Sequence, residues 1–341
     1  MTDVISTAIK SIARKESLSV DILEGAFSEI LSGEVHPERI GAFLMGLAVR
    51  GETSTELLAG ARIMRRTAKR IKLDGVVLDT CGTGGLGWTS LNTSTASAIV
   101  IAACGVIVAK HGNRSVPPKT GSADVLEALG VGLDISEDQF LDAIKTAGIG
   151  FLFARSHHSA MRHVAPVRAS LGIRTVFNLL GPLSNPAGAS HQILGVYDPH
   201  WLRPMAETLQ ALEIERAWVV HGKMNDGLAI DELSIAGETL VVDVTKNGLE
   251  EIVIHPSDAG LPVSPLSTLQ GGTPDQNAKA ITDLFSDKAS PFRDAVVLNA
   301  AAGLHLTGKA TTLREGAEMA SDAIASGAAR ETINKLKAAT S

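Results

Sequence analysis

The sequence predicts an α/β protein: a small N-terminal helical domain over residues 1–70, then a large α/β domain over 71–341. A central mixed, mainly parallel sheet flanked by helices is expected in the second. Three observations carry this expectation. Apolar residues in the first seventy positions recur at helical spacing. From Gly75 onward, short β-rich runs alternate with helical stretches, the pattern of strands joined by crossover connections. Residues 239–255 alternate like an antiparallel pair, with Val241, Val242 and Val244 against Ile252 and Ile254, so the sheet is mixed.

Each element has its own signal. Ile22, Ala26, Ile30 and Leu31 share one helix face, and Gly33 is placed to end that helix. Pro37 opens the next helix at its first turn and Gly51 closes it. Thr53-Ser-Thr-Glu56 is a capping box ahead of Leu57, giving a four-helix unit with short loops. Val76–Asp79 is a short strand leading straight into a glycine loop. A helix over Ser94–Cys104, a second strand over Val106–Ala109 and a helix over Asp124–Leu129 follow. Gly150–Phe153 and Arg216–His221 are further strands. From Pro274 the chain is again helical, with a capping box at Thr312-Leu-Arg-Glu315.

Composition narrows the function classes. The length of 341 residues fits one large domain plus a smaller one. A hydrophobic fraction of 45% supports a real core, while only 4% aromatics favours close-packed helices and layers. The net charge of −6 argues against a general nucleic-acid binder, which needs a basic surface. Cys81 and Cys104 form neither a CxxC motif nor a disulfide framework. The longest apolar run, Ala98–Ala109, is shorter than the roughly 20 residues that span a bilayer. Met1-Thr-Asp-Val-Ile lacks the features of a signal peptide. A soluble protein of a reducing cytoplasm is expected.

The chemistry concentrates in residues 79–127. A strand ending in Gly82-Thr-Gly-Gly-Leu-Gly87 lets the backbone bend sharply and approach a ligand closely. Successive free N–H groups in such a turn form an anion-binding concavity. Asn92-Thr-Ser-Thr95 then begins a helix whose unpaired N–H groups, dipole and hydroxyls favour phosphate. Capping by Ser94 or Thr95 and plain turning by the glycines are the bland alternative. The loop lacks the Gly-Lys-Ser/Thr end of a P-loop and the spacing of the dinucleotide fingerprint. Lys110-His111-Gly112-Asn113-Arg114 follows the second strand, at the sheet edge where α/β proteins bind ligands. Lys110 and Arg114 can neutralise phosphate there, Asn113 can offer an amide, and Ser115 and Ser122 supply further hydroxyls. A solvated basic turn is the alternative. Trp88 reads equally as a loop anchor or a local packing residue.

These motifs resemble those of the anthranilate phosphoribosyltransferases. The likeness runs from Gly82 to Glu127, then through Phe151–Ala154, His157-His158, Met161, His163–Arg168 and Phe177–Pro186. It ends with Gly195-Val, Val219–Gly222 and Asp231-Glu232-Leu-Ser, and covers roughly residues 20–330 in order. Lys-His-Gly-Asn-Arg together with Phe-Asn-Leu-Leu-Gly-Pro-Leu is highly specific. The resemblance implies Mg2+-dependent transfer of a phosphoribosyl group from phosphoribosyl pyrophosphate to the anthranilate amine, a step of tryptophan biosynthesis. It implies donor binding by Gly82, Gly85, Leu86, Ser90, Asn92, Thr93, Ser94, Thr95, Lys110, His111, Gly112, Arg114, Ser115 and Ser122. Asn113 and Arg168 would contact anthranilate, arginine being a natural carboxylate partner. Two magnesium ions are implied, Ser94 helping to hold one and Asp231 and Glu232 the other. No residue is implied as general base; Lys110, Asp231 and Glu232 would stabilise the transition state. One of His157 and His158 would line the substrate tunnel, and neither would bind zinc. A segment near 170–190 would join the helical domain, and a homodimer would form through that domain.

The sequence departs from the family pattern at Leu86, where Asp is usual. Thr93 stands for an aliphatic residue and Pro117-Pro118 for a serine pair. Residues 223–230 are longer than usual, which brings Asp226 into consideration near the metal. Two alternatives remain: a catalytically silent nucleic-acid-binding relative, and a pyrimidine-nucleoside phosphorylase.

Overall fold

A computed structural model describes residues 3–114, 120–222 and 229–341. The N-terminal unit is four helices: α1 (Val4–Ala13), α2 (Val20–Ser32), α3 (Pro37–Arg50) and α4 (Ser54–Thr67). Their ends sit where the local chemistry puts them. Gly33 closes α2 in the left-handed conformation at φ 84°, Pro37 occupies the first turn of α3, and Thr53 and Glu56 complete the expected capping box. Phe27, Phe43 and Phe177 pack edge-to-face, with ring centroids 5.5 and 6.0 Å apart. Phe177 comes from far along the chain. Val164, Val167, Val176, Leu179, Leu180 and Leu183 enter the same core, and Leu180 seats on Gly60 of α4, where a Cβ would not fit.

The rest is built on a seven-stranded sheet. In chain order its parts are β1 (Val77–Gly82), α5 (Thr93–Ala103), β2 (Ile107–Gly112), α6 (Ser122–Ala128), α7 (Glu137–Ala147) and β3 (Ile149–Phe153). Next come α8 (Ala154–His157), α9 (Ala165–Leu171), α10 (Val176–Leu180), β4 (His191–Gly195), α11 (Leu202–Ala211), β5 (Arg216–Gly222), β6 (Thr239–Thr245) and β7 (Gly248–Ile254). Helices α12 (Pro274–Leu284), α13 (Pro291–Leu306), α14 (Leu313–Ala325) and α15 (Ala328–Thr340) complete the chain. Strand order is β3-β2-β1-β4-β5-β6-β7. The first five strands are parallel, and β6 and β7 are antiparallel additions. The sheet is therefore mixed and mainly parallel, as expected. Val241 does face Ile252, while Val242 faces Glu251.

Strand periodicity assigns each side chain to a layer. Trp218 and Val220 of β5 point into a core with α5, α13 and the C-terminal helices. Ala217 and Val219 point the other way, into the core shared with α11 and the N-terminal helices.

Three readings need correction. Val76 lies outside β1 and is 43% exposed, because pairing with β2 begins only at Val77. Thr312 does accept from Glu315 N, but the Glu315 carboxylate reaches Thr311 N, so the reciprocal box is incomplete. The strand β4 went unread because His191-Gln-Ile-Leu-Gly opens on polar residues, both of them buried and hydrogen-bonded.

Candidate active site

Strand order reverses between β1 and β4: β2 and β3 lie to one side, β5 to the other. In open α/β sheets a crevice forms at the carboxyl ends of such a pair, because the loops leaving it diverge. Here the loop after β1 carries the glycines, and Thr83 N donates to Gly195 O at the end of β4 (2.9 Å). Asp231 sits directly over this point. A Cβ at Gly82 would strike its carboxylate, and one at Gly195 its main chain. Both glycines are required by that approach.

Asp231 and Glu232 each clamp one phosphate-loop element. Asp231 Oδ2 accepts from Gly84 N at 2.8 Å, and Glu232 Oε1 accepts from Ser94 N at 2.8 Å, at the start of α5. Their own turn is held by Asn299 of α13, whose amide accepts from Leu233 N (3.0 Å) and donates to Leu233 O (2.9 Å). Both residues are half-buried, yet Glu232 Oε2 is shut off from solvent and has no hydrogen-bond partner. Burial, then the Asp231 charge, push the Glu232 carboxyl up to about 7; burial raises Asp231 too. An acid pair with an unmatched oxygen at the start of a helix fits a divalent cation shared with phosphate oxygens. Among the described residues no three His, Cys, Asp or Glu side chains cluster as a self-contained metal cage. Magnesium, which keeps few protein ligands, fits such a site.

The other expected residues divide by role. Lys110 is buried, its ammonium donating to Thr80 O and lying 3.4 Å from Ser94 Oγ, beneath the start of α5. Burial lowers its pKa, and the Asp79 charge opposes that shift. Thr93 and Thr95 are buried at the same helix start. Asn92 is the N-cap residue, and its amide bridges Thr120 O (3.1 Å) and Asn277 Nδ2 (2.8 Å). Ser90 pairs with Gln270 across an isolated bridge. Gly112 admits Ser122 Oγ and the Phe151 ring where a Cβ would stand. Asn113 is exposed, and its Oδ1 accepts from Arg114 N. Ser115, Pro117, Pro118 and Asp226 lie outside the described residues.

Arg114 forms ion pairs with Glu127 (2.7 Å) and Asp124 (3.2 Å) of α6. Leu86 turns inward onto the α/β core, and Trp88 donates from Nε1 to Ala229 O at 3.0 Å, anchoring as well as packing. The two apolar side chains hold the glycine loop from behind. His158 packs against His111, ring centroids 5.2 Å apart; burial lowers His111 strongly and His158 to about 4. His157 turns away, its Nδ1 2.8 Å from Lys69 O.

Arg168 lies on α9, half-buried, with Nη2 donating to Asn178 Oδ1 (3.3 Å) and its guanidinium over Phe177. Beside it is a residue that the sequence reading passed over. Arg174 stacks on Tyr197 at 3.9 Å and donates to Thr83 O at 3.3 Å. The Gly-Ile-Arg-Thr turn between two helices was its only sequence signal.

The fold and this site define a glycosyl transferase built from a helical bundle and an α/β domain. The family described as "Glycosyl transferase family, helical bundle domain" matches residues 6–68, and "Glycosyl transferase family, a/b domain" matches 74–330. An anthranilate phosphoribosyltransferase of Hyphomonas neptunium is 62% identical over 97% of this chain and 96% of its own. One from Parvibaculum lavamentivorans is 50% identical over 100% and 98%. The crystal structure of the Thermus thermophilus enzyme aligns with TM-score 0.91 at 45% identity, over 98% of this chain and 99% of that one. The Saccharomyces cerevisiae enzyme in complex with PRPP and Mg aligns at 0.90 and 26% identity, over 100% and 98%. The chain belongs to the anthranilate phosphoribosyltransferases. The relatives support neither the phosphorylase nor the nucleic-acid alternative.

Proposed function

We infer that this chain transfers the 5-phosphoribosyl group of phosphoribosyl pyrophosphate to the amine of anthranilate, releasing pyrophosphate. The observation that carries the reading is the Asp231–Glu232 pair at the switch point, bonded to both the glycine loop and the start of α5. Asp231 and Glu232 would hold magnesium, with a second ion near Ser94, and the bound metal would supply positive charge against the pyrophosphate leaving group. The glycine-loop N–H groups and the first turn of α5 receive the donor phosphates, and the buried Lys110 charge lies beneath that turn. As the C1–O bond breaks, the ribosyl carbon becomes oxocarbenium-like, and the amine attacks from the opposite face with inversion, the new C1–N bond releasing the amine proton to water. Arg168 orients the acceptor carboxylate. His111 and His158 are kept neutral by burial, and neither is assigned as general base. Positioning and electrostatics supply the catalysis, with no covalent enzyme intermediate.

Protein, magnesium, donor and anthranilate mixed together should show loss of anthranilate fluorescence. No turnover at generous enzyme concentration would sink the reading. A homodimer through the helical domain is proposed with it, supported by Met45 and Val49, 43% and 79% exposed on α3. A cytoplasmic location is proposed too; no described helix is long and apolar enough to cross a membrane.

A further inference from the structure

We propose that Arg174 is a positioning residue that ties the acceptor-side arginine to the phosphate loop, so that the two substrates bind with positive coupling. The proposal rests on the transferase reading above and deepens it.

A continuous set of contacts supports it. Asn178 Oδ1 accepts from Arg168 Nη2 (3.3 Å) and from Thr175 N (2.9 Å), so the acceptor-side arginine is fastened to the residue that opens α10. The preceding residue is Arg174, launched from the turn that Gly172 makes at the end of α9 with φ 64°. Its guanidinium crosses from the helical side onto the glycine loop. There it fills the space a side chain at Gly85 would need, and its Nη2 donates to Thr83 O at 3.3 Å. Tyr197 completes the seat, its ring 3.9 Å beneath the guanidinium and its N–H donating to Thr83 Oγ1 at 3.1 Å. One residue further along the loop, Gly84 N donates to Asp231.

Arg174 thus touches the loop from one side while Asp231 holds it from the other. Among the described residues it forms no ion pair, and its Nε is buried without a hydrogen-bond partner. A cation set this way, with one N–H on loop backbone and its flat face on an aromatic ring, is suited to fixing geometry. Lysine cannot reproduce it, because an ammonium lacks the planar face. Donor binding that orders the glycine loop would fix Arg174, and through Asn178 would hold Arg168 ready for the acceptor carboxylate. Coupling between two sites is reciprocal, so acceptor binding must tighten the donor by the same factor.

The test is two-substrate initial-rate kinetics on wild type, Arg174→Ala, Arg174→Lys and Tyr197→Leu, with magnesium–donor binding followed by calorimetry. Wild type should show an interaction factor above one. Arg174→Ala should raise the donor KM by about tenfold or more, the loss of a charge-assisted hydrogen bond and an aromatic stack. It should also bring the interaction factor to about one. Arg174→Lys should fail to rescue either quantity, and Tyr197→Leu should move the donor KM the same way. The proposal is overturned if the donor KM of Arg174→Ala stays within about twofold of wild type, or if lysine restores coupling. Should Arg174→Ala fail to fold by circular dichroism, an unchanged donor KM in both Arg174→Lys and Tyr197→Leu overturns it alone. Turnover by wild type tests the transferase reading separately. If wild type binds donor without turning over, that reading fails, and donor affinity across the variants still decides the role of Arg174.

Discussion

Glu232 shows most directly how a residue's surroundings set its chemistry. Its ordinary value of 4.5 rises to about 7 because the carboxyl is desolvated and sits beside Asp231. A raised acid favours the protonated folded state, so the cost is absent below pH 4.5 and complete above about 7. Above pH 7 the buried charge should cost roughly 3 kcal/mol in the metal-free protein. Glu232→Gln should therefore melt at higher temperature than wild type at pH 8, and the gap should close by about pH 4. The same variant should lose the thermal protection that magnesium and donor give wild type. Equal melting of the two proteins at pH 8 would contradict the assignment of a strained charge.

Leu86 poses the opposite case, an apolar residue where the family pattern has an acid. It packs on the α/β core, so the loop is supported by burial as well as by the Asp231 clamp. Leu86→Asp should remove that packing and destabilise the protein by about 1–3 kcal/mol, measured by urea unfolding. A fall in activity beyond that loss of folded protein would show that apolar support of the loop matters to turnover.

At the scale of elements, the decisive features are close approaches between loops. Gly195 ends β4 where the main chain of Asp231 passes, so Gly195→Ala must push one of them aside. We expect at least a hundredfold loss of kcat/KM, about 3 kcal/mol, with the circular dichroism spectrum retained. Asn299 acts at longer range. It is 3% exposed and satisfies both the N–H and the C=O of Leu233. Asn299→Ala leaves two buried backbone groups unpaired and should cost about 2–4 kcal/mol, with magnesium-dependent stabilisation weakened alongside. Nothing in Leu298-Asn299-Ala300 announces this, because an isolated asparagine in a helix reads as a surface residue. Arg174 was hidden for the same reason. Its partners Thr83 and Tyr197 lie 91 residues before it and 23 after it, and only the fold brings them together.

Across the whole molecule, two cores meet at the sheet. One face of β5 packs with the C-terminal helices, the other with α11 and the N-terminal bundle. The stretch containing Phe177 and Leu180 belongs to that bundle's core, so the turn carrying Arg168 and Arg174 is fixed to the helical side while it reaches the α/β side. Exposed Met45 and Val49 on α3 make a second copy the proposed cover for the helical unit. Val49→Glu should shift the protein from dimer to monomer in sedimentation at micromolar concentration, with the monomer still folded. An unchanged sedimentation coefficient would reject that face.

Local chemistry alone determined the four N-terminal helices, their caps at Gly33, Pro37 and Thr53, and the glycine loop with its hydroxylated helix start. Each depends on residues within a few positions of one another, so the sequence states the cause directly. The family motifs named further candidate residues, but not how they meet. Strand order decided that: placing β4 beside β1 created the switch point, and the 231–232 turn and Arg174 then converged on one loop. Those outcomes rest on contacts between distant segments, and no local pattern carries their energy.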